Sequence, residues 1–190
     1  GGGRPGDTDV KIQIAGLDVP TFASWASLSG QVPMIAVNNG YCFAGNAALF
    51  GCADIRIATK TSWIGMAGPA MIEGGGLGSF APTEIGPMDV QAKNGVVDLV
   101  ADDEAHATAL AQQCLSYFQG GSETWQCADQ VELRDMMPAD RRYVYDVRSV
   151  ITQLVDSDSF LELSHAYGCA VITGFARIEG RAVGVIANDC

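Results

Sequence analysis

Ala44 and Gly45 lie in the run Val32–Asp54, in which the short apolar segment Met34-Ile35-Ala36-Val37 ends in Asn38-Asn39-Gly40. Small residues follow, and then the helix-prone run Asn46–Phe50. The chemistry open to such a run belongs to the backbone rather than to side chains. A strand that turns tightly into a helix leaves the first amide N–H groups of the helix without intrahelical partners, and they can donate to an oxygen that gains negative charge during a reaction. Small residues let a ligand come close to those amides. The same junction also serves as a plain structural turn in α/β proteins, so the spacing alone leaves both readings open.

Side-chain chemistry is thin by comparison. No Ser/His/Asp arrangement can be assembled: His106 falls among acids near a helix start, His165 stands isolated near Tyr167, and both read as surface or packing histidines. The six cysteines, Cys42, Cys52, Cys114, Cys127, Cys169 and Cys190, show no Cys-x-x-Cys spacing. They read as idle thiols in a reducing compartment, with no metal site. Gly74-Gly75-Gly76-Leu77-Gly78 lacks the Lys-Ser/Thr of a phosphate loop and the acidic residue of a dinucleotide fold.

The elements that must hold the junction follow from patterning. A helix from Asp18 to about Gly30, capped by Asp18 with Pro20 in its first turn, sets Phe22, Trp25, Ala26 and Leu28 on one side. Ile55–Ala58, Trp63–Met66 and Val96–Val100 read as strands, and Ala67–Gly78 as a loop too rich in glycine to be helical throughout. Asp102 caps a strong helix with the stripe Ala107, Leu110, Ala111, Cys114 and Phe118, and Asp146–Val155 forms another. Ala170–Ile178 and Arg181–Ala187, joined by Glu179-Gly180, form a hairpin. At 190 residues, 48% hydrophobic and 17% charged, the chain can bury a core, and no apolar run approaches the roughly 20 residues of a membrane span. The formal charge of −11 argues against nucleic acid as a partner. The expectation is a soluble, cytoplasmic protein whose two ends look cut from a longer chain.

Three segments together, Gly40-Tyr41-Cys42-Phe43-Ala44-Gly45-Asn46-Ala47, Cys52-Ala53-Asp54-Ile55-Arg56-Ile57-Ala58-Thr59 and Ile64-Gly65-Met66-Ala67-Gly68-Pro69, resemble the carboxyltransferase subunits of biotin-dependent acyl-CoA carboxylases, within the crotonase-like group. The likeness continues through Glu84-Ile85-Gly86-Pro87, Asn94–Asp98, Leu115–Phe118, Asp146-Val147-Arg148 and Gly174–Arg181, and so covers nearly the whole chain. It implies an α/β crotonase-like (ClpP/crotonase) spiral of β-β-α units, with stacked sheets and outer helices. It implies transfer of a carboxyl group from carboxybiotin to an acyl-CoA of the acetyl- or propionyl-CoA type. Ala44 and Gly45 match the paired small residues whose amides hold the thioester enolate, with alanine where the family has glycine. Gly3 and Arg4 match a loop near the acyl end of the substrate; Phe43, Ala67, Gly68 and Pro69 match the substrate side of the acyl pocket. A biotin carboxylase and a biotin carboxyl carrier component would be partners, and a homo-oligomer is implied.

On this likeness, residues 1–120 form the acyl-CoA half with its start missing, 121–145 a connector, and 146–190 the beginning of a second half whose oxyanion loop for biotin lies beyond. Arg134, Arg141 and Arg142 in the connector read as local partners of Asp135 and Asp140, or as contacts for a CoA phosphate. Two other functions stay open: a crotonase-type hydratase or isomerase, with Glu73 and Glu84 as the candidate general acid and base, and a non-catalytic assembly fragment.

Overall fold

The structure, a computed structural model, describes residues 20–140 and 142–189. In chain order its elements are α1 (Pro20–Ser27), β1 (Ile35–Asn38), β2 (Tyr41–Phe43), α2 (Gly45–Gly51), β3 (Ile55–Thr59), β4 (Trp63–Gly65) and α3 (Pro69–Gly74). There follow α4 (Met88–Gln91), β5 (Leu99–Ala101), α5 (Glu104–Ser116), α6 (Val147–Leu154), β6 (Leu161–Leu163), β7 (Val171–Ile178) and β8 (Arg181–Asn188). Short 3₁₀ turns occupy Pro82–Glu84 and Gln130–Arg134.

The strands form three small sheets: parallel β1-β3-β5, parallel β2-β4, and antiparallel β6-β7-β8. β3 lies centrally in its sheet, and that is why it reads as an almost unbroken buried run, with Ile57, Ala58 and Thr59 fully enclosed. One core joins Ile55, Ile57 and Leu99 to Ala107, Cys114 and Tyr117 of the α5 segment and to Leu161. A second surrounds Phe50, Ile64 and Val97 under α2, and a third packs Val147 and Ile151 of α6 on Ile172 and Ala176 of β7. Asp98 ties β3 to the segment after β6: it accepts from the Arg56 Nε and backbone N–H, both at 2.9 Å, and from the Ser164 hydroxyl at 2.9 Å. Among the described residues no helix is long and apolar enough to cross a membrane.

Several expectations need correction. α1 ends at Ser27 and buries none of its residues, and the Asp18 cap falls outside the described residues. The strand placed at Val96 begins at Leu99, because the Val96 N–H turns back to the Gln91 carbonyl (3.0 Å) after α4 and Asp98 is drawn to Arg56. Asp103 rather than Asp102 caps α5, accepting from the His106 N–H at 2.8 Å, while Asp102 pairs with Lys60. Phe118, placed in the buried stripe, is exposed and meets Phe175 edge-on at 5.6 Å. β2, β6 and α4 went unread because three or four residues carry too little periodicity. The hairpin stands as expected: Glu179 and Gly180 take φ of 50° and 76°, the left-handed pair that a two-residue turn requires.

Candidate active site

β1 and β2 lead to the site through Asn38-Asn39-Gly40, where Gly40 has φ 93°. β2 then pairs with β4, Phe43 opposite Gly65, and the chain turns at Ala44 into α2. Ala44 sits at φ 53°, ψ −124°, a conformation that favours glycine, and α2 starts with no side-chain cap. The Ala44 N–H donates to the Gly65 carbonyl at 3.2 Å, continuing the β2-β4 ladder. Of the two amides expected to act together, that of Ala44 is therefore engaged by the sheet, and that of Gly45 belongs to the open first turn of α2.

The structure brings Phe43 and Gly68 together: a side-chain carbon built on Gly68 would lie 3.5 Å from the Phe43 ring. Gly68 precedes α3, whose first residue is Pro69, and Ala67, Gly68 and Pro69 are all half-buried beside Phe43. Gly3 and Arg4 lie outside the described residues. Gly86, in Glu84-Ile85-Gly86-Pro87, holds this wall from behind. It has φ 59°, its carbonyl accepts from the Ile64 N–H at 2.9 Å, and any side chain there would overlap the Ile64 carbonyl.

Two contributors were missed in the sequence. The Phe22 ring lies 3.2 Å from where a Gly45 side-chain carbon would stand, and the Trp25 indole N–H donates to the Leu49 carbonyl at 3.0 Å. Their spacing sets both on one side of the helix, and spacing does not say what that side meets. Trp25 and Leu28 roof a groove of about 770 Å³ over β1, β2 and α2, with Val37, Tyr41 and Leu49 among its walls. Among the described residues no charged side chain lines it. Such a lining suits an apolar chain.

The remaining titratable candidates are elsewhere. Glu84 accepts from the Ala81 N–H at 2.7 Å and Glu73 is exposed; neither lines the groove. Arg142 pairs with Asp140 at 2.6 Å, and Arg141 is outside the described residues. His165 is exposed beside Glu162 (3.1 Å), and the His106 ring accepts from the Asp102 N–H. Burial pushes the Cys42 thiol up, and Cys114 is pushed up to about 11 by burial and then by the charge of Asp98. Among the described residues no three His, Cys, Asp or Glu side chains gather as metal ligands.

Residues 13–190 match the carboxyl transferase domain family. The chain belongs to that family. This carboxyl transferase domain is similar to a single-chain, multi-domain long-chain acyl-CoA carboxylase of solved structure, with 54% identity and a TM-score of 0.92 over 99% of this chain and 18% of that one. It is similar to the transcarboxylase 12S subunit, solved as a hexamer with methylmalonyl-CoA and methylmalonic acid bound (32% identity, TM-score 0.77, 88% and 35% of the two chains). It is also 32% identical over 177 residues to the mitochondrial methylcrotonoyl-CoA carboxylase beta chain of Arabidopsis thaliana, covering 85% of this chain and 30% of that one. The fold is thereby crotonase-like, as expected. The chain spans about a third of the length of the curated relatives it matches.

Proposed function

We propose that this chain carries the thioester side of a biotin-dependent carboxyltransferase, moving a carboxyl group between carboxybiotin and the α-carbon of an acyl-CoA. The observation that supports it is the uncapped start of α2 at Gly45, next to Asn46 in the wall of an apolar groove that has no charged side chain among the described residues. The Gly45 amide donates to the thioester oxygen as charge builds there, and the Phe43–Gly68 wall orients the acyl group. Among the described residues no carboxylate or histidine lines the groove, and the part given to these residues is to bind, orient and stabilise charge.

Bound carboxybiotin would supply the carboxyl group. The described residues do not fit biotin itself. The one donor site is assigned to the thioester, and the polar recess around Arg177 has its guanidinium engaged by the Ser116, Gly120 and Gly180 carbonyls. We assign residues 1–120 to the acyl-CoA half and 146–190 to the start of a second half. A biotin carboxylase and carrier component are the assigned partners, in a cytoplasmic homo-oligomer. Acetyl-CoA and propionyl-CoA are the assigned acceptors, to be ranked against the methylcrotonoyl, methylmalonyl and long-chain esters named for the relatives.

The test runs the reaction in reverse, with malonyl-CoA and methylmalonyl-CoA as donors and free biotin as acceptor. Carboxylation of biotin is expected, with Gly45→Val lowering the rate by about 10²–10³. Hydration of an enoyl-CoA in place of transfer would overturn the reading. Because the chain spans about a third of its relatives, a second reading stands beside the first: a part that binds acyl-CoA without turnover. Calorimetric binding of acyl-CoA with no transfer would identify it.

A further inference from the structure

Behind the Asn38-Asn39-Gly40 turn lies a cluster of buried hydrogen-bonding side chains. Thr59, at the end of β3, and Ser62, just before β4, are polar side chains at 0% and 1% exposure. The Thr59 hydroxyl donates to Asn39 Oδ1 at 2.8 Å and lies 3.0 Å from the Ser62 hydroxyl. Ser62 donates to the Asn38 carbonyl at 3.2 Å and accepts from the Gly40 N–H at 3.3 Å. Asn39 reaches out on its other side, its amide donating to Glu104 Oε1 at the start of α5.

All three residues of the Asn38-Asn39-Gly40 turn are thus gripped by two buried hydroxyls. That turn decides where β2 begins. The Gly40 carbonyl accepts from the Trp63 N–H at 3.0 Å, which sets the β2-β4 register, and the register ends in the Ala44–Gly65 bond next to Gly45. Two buried hydroxyls are an expensive way to fill a core position, because each must keep its partners. Here their partners are the backbone and side-chain atoms of one turn.

We propose that Thr59 and Ser62 are positioning residues for the Gly45 amide, holding the turn from which the oxyanion-binding junction is suspended. The inference rests on the carboxyltransferase reading above. It identifies residues that touch no substrate and act through Asn38, Asn39 and Gly40.

Three variants of the full chain test it: Thr59→Val, which keeps the shape and removes the hydroxyl, Thr59→Ser, which keeps the hydroxyl, and Ser62→Ala. Amide hydrogen exchange is followed at Ala44 and across β7-β8, alongside kcat and KM for reverse carboxyl transfer. In Thr59→Val and Ser62→Ala, exchange at Ala44 is expected to quicken about tenfold with the β7-β8 amides unchanged. In the same variants kcat should fall by about 10- to 100-fold with KM within about twofold, and Thr59→Ser should stay within about threefold of the parent. Exchange that quickens evenly throughout, or kcat that holds while Ala44 loosens, overturns the proposal. A parent chain that transfers no carboxyl group overturns the proposed reaction instead, and the exchange arm then decides the positioning by itself.

Discussion

At the residue scale the site turns on the difference between Ala44 and Gly45. Ala44 occupies a conformation in which glycine is at ease, and its N–H is held by Gly65. Its methyl group is therefore a source of strain. Ala44→Gly should raise stability by up to about 1 kcal/mol, the relief of strain being partly offset by the greater freedom of glycine in the unfolded chain. The urea midpoint of the two proteins measures this, and an unchanged or lower midpoint would show that the alanine is not strained. The alternation of small residues was legible in the sequence. The engagement of one amide and not the other was not, since it depends on a carbonyl twenty-one residues away.

At the scale of elements, the β7-β8 hairpin and its neighbours carry two devices. The buried Asp156 carboxylate accepts the N–H groups of Glu179 and Gly180 at 2.9 and 2.7 Å, closing the turn from outside. Asp156→Ala leaves two turn amides without their charged acceptor and should cost about 1.5–3 kcal/mol in chemical unfolding. Glu162 on β6 receives a two-pronged bond from Arg148 on α6, at 2.7 and 2.8 Å. That bond holds its carboxyl below the ordinary 4.5, burial opposes the shift, and His165 adds to it. A folded-state pKa below the unfolded one means that the stabilisation is complete above about pH 4.5 and is lost as pH falls through the folded value. The thermal midpoint should therefore drop on acidification below that point, and Glu162→Gln should remove this part of the slope. The hairpin itself was readable from Glu179-Gly180, because two residues suffice to specify the turn. Its tether to Asp156, across a sequence gap of more than twenty residues, was not.

Across the described residues, the core around β3 and α5 and the segments flanking β6 are tied through Asp98, which accepts from Ser164, and Tyr117, whose hydroxyl donates to the Ser159 carbonyl at 2.6 Å. Their packing sorts the thiols. At pH 8, iodoacetamide should modify Cys52, Cys127 and Cys169, which are exposed, and leave Cys42 and Cys114 intact until urea unfolds the chain. Peptide mapping by mass spectrometry reads the order, and early loss of Cys114 would mean that the core around α5 opens readily. Local chemistry was enough to place β3, α5, α6, the hairpin and the Ala44–Gly45 junction, since each rests on a run of apolar residues, a cap or a turn that neighbours in sequence specify. Long-range contacts chose the rest. They made α1 the roof of a groove, took Asp98 out of a strand for Arg56, and seated Phe43 on Gly68. They also turned Thr59 and Ser62, an ordinary polar turn in the sequence, into the buried grip on Asn38-Asn39-Gly40, because the partners of a hydroxyl are set by which backbone atoms the fold brings beside it.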